Sequence, residues 1–370
     1  MPAGWAGILL LGACLSHCGN DDVTSLLNAR DLSDLKDRID SIRMRAVART
    51  SMQNGELARS TQRLIQMLRP EKVGTAAQTA MTWFKPLPIS SGIKPIRSFP
   101  GFPATLGRLG ALEVRLAQEK SDVKRAQKLR YRVFYKDGTA IADAATLLAR
   151  RDKDAFDKIC DHLMVIDHAA KPSIGGRQPV VGTYRLLRQD VAENHGGFYT
   201  EDEFDISGLI DRHAGLRFLE LGRSCVLPPY RNKRTVELLW HGIWSYVRQH
   251  RLDVMIGCAS FEGTDPDRLA LPLSFLHHYA RAPEAWRATA HPSRRVEMNR
   301  MAKEAINPKA ALHELPPLIK GYLRLGAYIG DGAVIDHQFG TTDVLIIMPV
   351  SAINARYIEH FGVDASRHAA

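Results

Sequence analysis

Short apolar runs recur along the chain beyond about residue 105, separated by clusters of Gly, Pro, Asp and Asn. The runs are rich in β-branched and aliphatic residues, which favours strands. The strands predicted in this way are 112–116, 162–166, 180–187, 216–226 and 252–258, with 323–329 and 343–348 as a closing pair.

Apolar residues spaced three and four apart predict helices between these strands. One helix is predicted at 121–135, with Ser121 as its N-cap, and the clearest at 235–249, where Val236, Leu239, Trp240 and Ile243 form one apolar face. The order of elements predicts an α/β (α+β) fold with helices on the faces of a mixed sheet.

The first 105 residues have a different composition. They are predicted to form an N-terminal extension whose function the sequence does not indicate. An apolar segment at 6–14 has no preceding Lys or Arg and is shorter than a membrane span, so it fits neither a signal peptide nor a transmembrane helix. A start codon placed too far upstream, or a short surface anchor, explains it as easily. Charged helices at about 22–68 and a Pro-rich linker at 70–103 follow. We place the main domain at 106–350 and a C-terminal tail at 351–370.

Charge and cysteine content narrow the class of protein. The formal net charge of +10 favours an anionic partner, such as nucleic acid, an acidic membrane surface or an acidic protein. The five cysteines lack paired spacing, so neither a disulfide framework nor a metal site is predicted. A cytoplasmic protein is expected, with association at the periphery of the inner membrane as a further possibility.

Two charged residues interrupt strands that otherwise have buried patterns. Arg185 lies within an apolar run, and Glu220 lies between Leu219 and Leu221. A buried Arg needs a carboxylate partner, and a buried Glu makes the reverse demand. The pattern alone leaves two interpretations open, a polar pocket or a structural ion-pair network.

Several motifs in order resemble the acyl-ACP-dependent branch of the GNAT acyltransferase superfamily. This branch contains the acyl-homoserine lactone synthases and the bacterial ornithine N-acyltransferases, and the ornithine enzymes match more closely. The resemblance implies a GNAT-like, mostly antiparallel sheet. The motifs are Arg130-Tyr131-Arg132-Val133-Phe134, Cys160-Asp161-His162-Leu163, Val181-Gly182-Thr183-Tyr184-Arg185, Leu219-Glu220-Leu221-Gly222-Arg223 and Gly321-Tyr322-Leu323-Arg324-Leu325-Gly326-Ala327.

The resemblance also implies the residues of an active cleft. The catalytic candidates are Glu220, Asp161 and Arg223, with Glu220 as the first choice of general base and Asp161 as the second. The substrate-binding candidates are Arg130, Phe134 and Arg185. The Trp that lactone synthases place shortly after the matching Phe is missing, so lactone closure is not expected.

The spacing of Glu220 and Arg223 poses a geometric problem, because residues three apart on a regular strand point to opposite faces. Gly222 lies between them and Gly readily permits a bulge. We therefore predict a bulge between Leu221 and Ser224 that turns both side chains toward one cleft.

The turn after this strand bears on the acyl donor. In the acetyl-CoA enzymes, Gly or Ala residues at a helix N-terminus leave backbone N–H groups bare for a pyrophosphate. Here the turn is Arg231-Asn232-Lys233-Arg234-Thr235-Val236, with larger side chains at the small positions. Arg231, Lys233 and Arg234 are predicted to meet acyl carrier protein or the phosphate of its pantetheine arm, the alternative being a solvated basic helix end.

The resemblance implies transfer of an acyl group, expected to be 3-hydroxylated, from acyl-ACP to the α-amino group of L-ornithine to give lyso-ornithine lipid. The 4'-phosphopantetheine thioester is then a donor substrate, and no bound cofactor is expected. Two alternatives stay open: a CoA-dependent N-acyltransferase for another amine, and a non-enzymatic, haemolysin-like protein that binds membranes. Nucleic-acid binding is not predicted, because the basic runs lack interleaved aromatic residues. An acylated Cys225 is a weaker catalytic hypothesis, because strand cysteines are usually small core residues.

Overall fold

The computed structural model describes residues 105–172 and 176–353. The predicted N-terminal extension up to residue 104, and residues 354–370 of the predicted tail, lie outside these residues. Within the described ranges no helix is long and apolar enough to cross a membrane.

The strands and helices alternate along the chain as the apolar pattern predicts. The strands are β1 (Thr105–Leu109), β2 (Leu112–Leu116), β3 (Asp161–Asp167), β4 (Val180–Arg188), β5 (Phe204–Asp205), β6 (Phe218–Val226), β7 (Val254–Glu262), β8 (Thr289–Ala290), β9 (Arg295–Val296), β10 (Tyr328–Asp336) and β11 (Thr341–Pro349). The α-helices are α1 (Lys120–Tyr131), α2 (Ala144–Ala149), α3 (Gln189–Ala192), α4 (Ser207–Arg212), α5 (Lys233–His250), α6 (Ala270–Ala280), α7 (Pro308–Glu314) and α8 (Pro317–Leu325).

The strands of the described residues form one sheet in the order β1-β2-β3-β4-β6-β7-β11-β10-β8-β5, with β9 paired to β10. Neighbouring strands are antiparallel except for β6 with β7 and β8 with β10. The predicted mixed, mostly antiparallel sheet with flanking helices is therefore confirmed. The α5 helix covers one face, and its Trp240 and Trp244 belong to the core.

Two local predictions are wrong. Ser121 is not the N-cap of α1, because the helix begins one residue earlier and its N-cap position is Glu119. The predicted strand at 323–329 begins five residues too early, since Leu323 lies in α8. Gly326 ends that helix at a φ of 95°, a conformation that glycine adopts at little cost, and β10 then begins at Tyr328.

The central strands β6 and β7 pair over a short stretch and then diverge. Their parallel pairing joins Phe218 to Val254 and ends with Glu220 opposite Ile256. Gly257 lies at this point, and a Cβ atom there would collide with the backbone carbonyl of Leu221. Beyond Glu220 the facing edges of the two strands are not joined, which opens a gap in the middle of the sheet.

The predicted bulge in β6 is present. Cys225 pairs with Thr183 and Gly222 with Arg185, so β6 has one more residue than β4 over this stretch. The residue with the unusual backbone is Arg223, at a φ of 49°, and not Gly222. The proposed reason for the bulge is therefore corrected: a Cβ at Gly222 would only touch the Arg185 Nε atom at an ordinary 3.8 Å.

Candidate active site

A cavity of about 290 Å³ lies where β6 and β7 diverge. Its walls come from these two strands, from the turns around Phe134 and Tyr199, and from the loop that joins β10 to β11. The predicted residues that line it are Phe134, Arg185, Glu220 and Arg223. The cavity therefore brings together residues that are far apart in the sequence.

Glu220 is buried in the cavity wall and bound by a short 3₁₀ turn, Tyr199–Asp202. Its Oε1 atom accepts hydrogen bonds from the Thr200 N–H at 2.7 Å and the Thr200 hydroxyl at 2.5 Å, and Oε2 accepts one from the Tyr199 N–H at 3.1 Å. Burial raises the pKa of Glu220, although these three donors favour the ionised form. The carboxylate is thus held in one orientation and is a stronger base than an exposed Glu.

Three aspartates that the sequence analysis missed surround the predicted arginines. They are Asp152, Asp154 and Asp157, in and just before a 3₁₀ turn at Ala155–Lys158. Arg130 contacts Asp152 at 2.7 Å and Asp157 at 2.8 Å, and Arg185 contacts both oxygens of Asp154 at 2.6 Å. The spacing Asp-x-Asp-x-x-Asp was the available signal, but surface turns often contain such clusters.

Arg223 joins the same network from the bulge. Its nitrogens lie 3.4 Å from Asp152 and 3.3 Å from Asp154, and its guanidinium lies 4.7 Å from the ring centroids of both Tyr199 and Phe339. Burial opposes ionisation of Asp154, but Arg185 and Arg223 together hold its pKa below the usual value. Both interpretations left open by the sequence are therefore present, since these arginines belong to an ion-pair network that forms one wall of a pocket.

Arg130 is in the network but not in the cavity. Its side chain is fully buried beneath Asp152 and Asp157 and does not line the open space. Its position suits it to hold the two aspartates in place. The direct contact with substrate that the sequence predicts would require Arg130 to line the cavity, and it does not.

Asp161, the predicted second choice of base, lies on the opposite face of the sheet from Glu220 and does not line the cavity. It pairs opposite Leu186 in β4, whereas Glu220 pairs opposite Leu187, so the two acids point to opposite sides. The Asp161 carboxylate accepts a hydrogen bond from the Tyr246 hydroxyl at 2.6 Å and is 46% exposed. The structure therefore does not bring Asp161 together with Glu220.

The basic turn after β6 remains at the surface. Arg231 and Arg234 are exposed, while Lys233 lies 3.5 Å from Glu237 one helical turn along α5. The Asn232 side chain caps this helix by accepting a hydrogen bond from the Thr235 N–H. One of the helix's free N–H groups is thus already occupied by the protein.

A second acidic group, which the sequence analysis also missed, lies at the cavity. Asp336 at the end of β10 and Asp343 in β11 line the cavity, and Glu203 lies behind them. Burial and the nearby Asp343 raise the pKa of Glu203 to about 7, and burial raises that of Asp343 to about 6. Asp336 and Asp343 lie in the hairpin of β10 and β11, whereas Glu203 is distant in the sequence, and the three residues share no common motif.

The thiols near the cavity are poor nucleophiles. Cys225 is buried in the core, and this burial raises its thiol pKa to about 12. Burial, followed by the charge of Glu203, also raises the pKa of Cys258. A thiol that stays protonated does not readily accept an acyl group, in agreement with the structural role predicted for Cys225.

Comparison with known proteins shows which family the chain belongs to. Residues 129–241, which run from the end of α1 into α5, match the acetyltransferase (GNAT) domain. The L-ornithine N(alpha)-acyltransferase of Agrobacterium fabrum is 53% identical over 261 residues, 70% of this chain and 88% of that protein. The protein of the same name from Brucella abortus is 55% identical over 262 residues, 71% of this chain and 92% of that protein.

One solved structure with similarity is an N-acyl amino acid synthase from uncultured soil microbes. It has 8% sequence identity and a TM-score of 0.37, with 67% of this chain and 97% of the other covered. So weak a likeness carries no argument about the site.

The diverging central strands, the cavity between them and the domain match define an N-acyltransferase of the GNAT class. Within that class, the chain belongs to the L-ornithine N(alpha)-acyltransferase family.

Proposed function

We infer that this enzyme transfers an acyl group from acyl-ACP to the α-amino group of L-ornithine, with Glu220 as the general base. The observation that carries the proposal is the position of Glu220, an oriented and buried carboxylate in the wall of the cavity at the strand divergence. Ornithine is the acceptor named for relatives that share more than half of their aligned residues with this chain.

The chemistry follows from this arrangement. The α-ammonium loses a proton to Glu220, directly or through one water, and the free amine attacks the thioester carbonyl. A C–N bond forms, the attacking nitrogen gives up its second proton as the C–S bond breaks, and the released thiolate takes up that proton, while Glu220 returns the first one to solvent. Backbone N–H groups on the unpaired edges of β6 and β7 are suited to stabilise the negative oxygen of the intermediate.

Arg223 and Arg185 are suited to the α-carboxylate of the acceptor. A planar guanidinium can bind a carboxylate through two parallel hydrogen bonds. Arg223 has the better position, because its long contacts with Asp152 and Asp154 leave donors available and the rings of Tyr199 and Phe339 fix its plane.

The surface at the start of α5 supports a carrier protein over free CoA as donor. Arg231 and Arg234 are exposed beyond the end of β6, where they can meet an acidic protein surface or one phosphate. A pyrophosphate needs bare N–H groups at the helix start, and the Asn232 side chain already accepts one of them.

Donor and acceptor can be tested together. Purified protein is incubated with 3-hydroxyacyl-ACP or the matching acyl-CoA, and with ornithine or another amine, and products are identified by mass spectrometry. We expect acylornithine and faster turnover with acyl-ACP. A faster reaction with acyl-CoA would refute the donor, and product with another amine but none with ornithine would refute the acceptor.

We also propose that the enzyme binds the membrane surface through the segment around α2. The large hydrophobic side chains that are exposed among the described residues are Ile141, Leu147 and Leu148, with Leu148 at 90%. Arg150 and Arg151 follow directly, and this combination suits the headgroup region of an anionic membrane. The purely non-enzymatic binder is not favoured, because membrane binding does not require a buried Glu220.

Sedimentation with phosphatidylglycerol vesicles tests this surface. The double variant Leu147→Ser/Leu148→Ser is expected to lose most of its vesicle binding. Arg268→Ser, which removes an exposed charge elsewhere, is the control and should bind as the unmodified protein does. Equal binding of all three proteins would exclude α2 as the contact.

A further inference from the structure

The acidic group beside the cavity consists of three buried carboxylates that converge on one point. Oxygen atoms of Glu203, Asp336 and Asp343 all lie within 4.8 Å of one another. The residues are 2%, 9% and 7% exposed, so water screens their mutual repulsion poorly. Three ionised carboxylates in this arrangement are unfavourable unless protons or a cation compensate their charge.

The described residues supply little of that compensation. Arg294 pairs with Glu203, its Nη2 atom 3.7 Å from Oε1. The N–H groups of Gln338 and Phe339 donate to Oδ1 of Asp336, and the charge of Arg223 acts on Asp343. The Oε2 atom of Glu203 and the Oδ1 atom of Asp343 are buried without a hydrogen-bond partner. The aspartates of the arginine network are different, because each of them faces at least one guanidinium.

The position of the cluster indicates which molecule can supply a compensating cation. Asp336 and Asp343 line the same cavity as Glu220. Cys258 lies between the two sites: its Sγ atom is 3.9 Å from the Thr200 hydroxyl that donates to Glu220, and the charge of Glu203 acts on its thiol. A molecule bound in the cavity can therefore reach the base with one end and the cluster with the other.

We propose that Glu203, Asp336 and Asp343 bind the terminal ammonium of the acceptor amino acid. The cluster thereby selects a diamino acid and directs acylation to its α-amine. This inference rests on the proposed function and assigns the acceptor specificity of the same site. An ammonium offers three N–H donors, which three converging carboxylates can accept. With that end held and the α-carboxylate near Arg223, the α-amine is directed to Glu220 and the terminal amine is kept from the thioester.

The test compares two acceptors that differ by one group. Norvaline is ornithine without the terminal amine, so it retains everything except the group that the cluster is proposed to bind. The value of kcat/KM is measured for both acceptors with saturating acyl-ACP, in the unmodified enzyme and in Glu203→Gln and Asp343→Asn. Asp265→Asn is the control, because it removes one carboxylate charge away from the cavity, from a side chain that is 55% exposed.

We expect either cluster variant to lower kcat/KM for ornithine by about 10- to 100-fold, the effect of one lost charge-assisted hydrogen bond, mainly through KM. Turnover of norvaline should stay within about threefold, and ornithine should raise the melting temperature of the unmodified enzyme but not of Asp343→Asn. The control should behave as the unmodified enzyme.

Other outcomes are distinguishable. An equal loss for both acceptors would show a structural role and overturn the inference, while ornithine turnover in the unmodified enzyme would leave the proposed function intact. Activity that is lost on chelation and restored by Mg²⁺ would assign the cluster to a metal and also overturn it. If the unmodified enzyme acylates neither acceptor, the proposed function itself fails.

Discussion

Arg130 and Arg223 share one ion-pair network but differ in what they reach. Arg130 is enclosed by Asp152 and Asp157, whereas Arg223 extends past the same group of acids into the cavity. Breaking a fully buried pair leaves an unpaired charge, which is costly. The two arginines should therefore affect different properties of the enzyme.

Replacing Arg130 should mainly reduce stability. Arg130→Met is expected to lower the free energy of unfolding by about 3 to 5 kcal/mol, because Asp157 loses its 2.8 Å partner in the protein interior. Denaturant unfolding followed by circular dichroism measures this. A change below about 1 kcal/mol would show that the network contributes little to stability.

Replacing Arg223 should mainly reduce activity. In Arg223→Ala, Asp154 keeps Arg185 and Asp152 keeps Arg130, so the protein should remain folded while turnover is lost. Circular dichroism and the acyl-transfer assay are read on the same sample. Near-normal turnover would remove Arg223 from the proposed acceptor site.

At the scale of elements, the divergence of β6 and β7 depends on how closely their backbones approach. The close contact is between Gly257 and the carbonyl of Leu221, one residue beyond the last paired position of the two strands. A backbone atom cannot move aside as a flexible side chain can. The gap that forms the cavity thus begins at a point that admits no Cβ on β7.

A pair of glycine substitutions tests this geometry. Gly257→Ala is expected to destabilise the protein by about 1 to 3 kcal/mol, the usual cost of overpacking. Gly222→Ala should change stability by less than about 0.5 kcal/mol, because the added Cβ meets only Arg185 Nε at 3.8 Å. Thermal unfolding measures both, and equal effects would contradict the role given to Gly257.

The strands around the site could be predicted because their apolar runs are long and bounded by strong turn residues. The face of the sheet on which Asp161 lies could not be predicted, because it depends on the register between β3 and β4, which a single sequence does not reveal. The apolar stretch at 323–329 has no periodicity that separates strand from helix, and Gly326 decides it. The cluster of Glu203 and Asp343 results from long-range folding and leaves no local pattern.

For the whole molecule, the acidic cluster predicts an unusual pH dependence of stability. The pKa of Glu203 is about 7 and that of Asp343 about 6, both above the values of 4.5 and 3.8 for the unperturbed groups. At pH values between the unperturbed pKa and the raised pKa of each group, the folded state binds more protons than the unfolded state. The cluster's stabilising contribution is therefore present at low pH and lost as the pH rises. Arg294 near Glu203 and Arg223 near Asp343 reduce this effect without reversing its sign.

Asp343→Asn should therefore stabilise the protein above pH 7. We expect a gain of about 1 to 3 kcal/mol in the free energy of unfolding at pH 8 and a smaller gain at pH 5, because the aspartate is already mostly protonated at the lower pH. Thermal unfolding of both proteins across this range gives the difference. A gain that does not depend on pH would show that Asp343 is not charged at pH 8.

The central claim, that the carboxylate at the divergence of β6 and β7 is the general base, is tested by comparing two acids on neighbouring parts of the sheet. Turnover of acyl-ACP and ornithine is measured for Glu220→Gln and Asp161→Asn, with circular dichroism to establish that both are folded. The account predicts a loss of about 10²- to 10⁴-fold for Glu220→Gln and a change within about threefold for Asp161→Asn. Near-normal turnover of Glu220→Gln together with loss of activity in Asp161→Asn would contradict it.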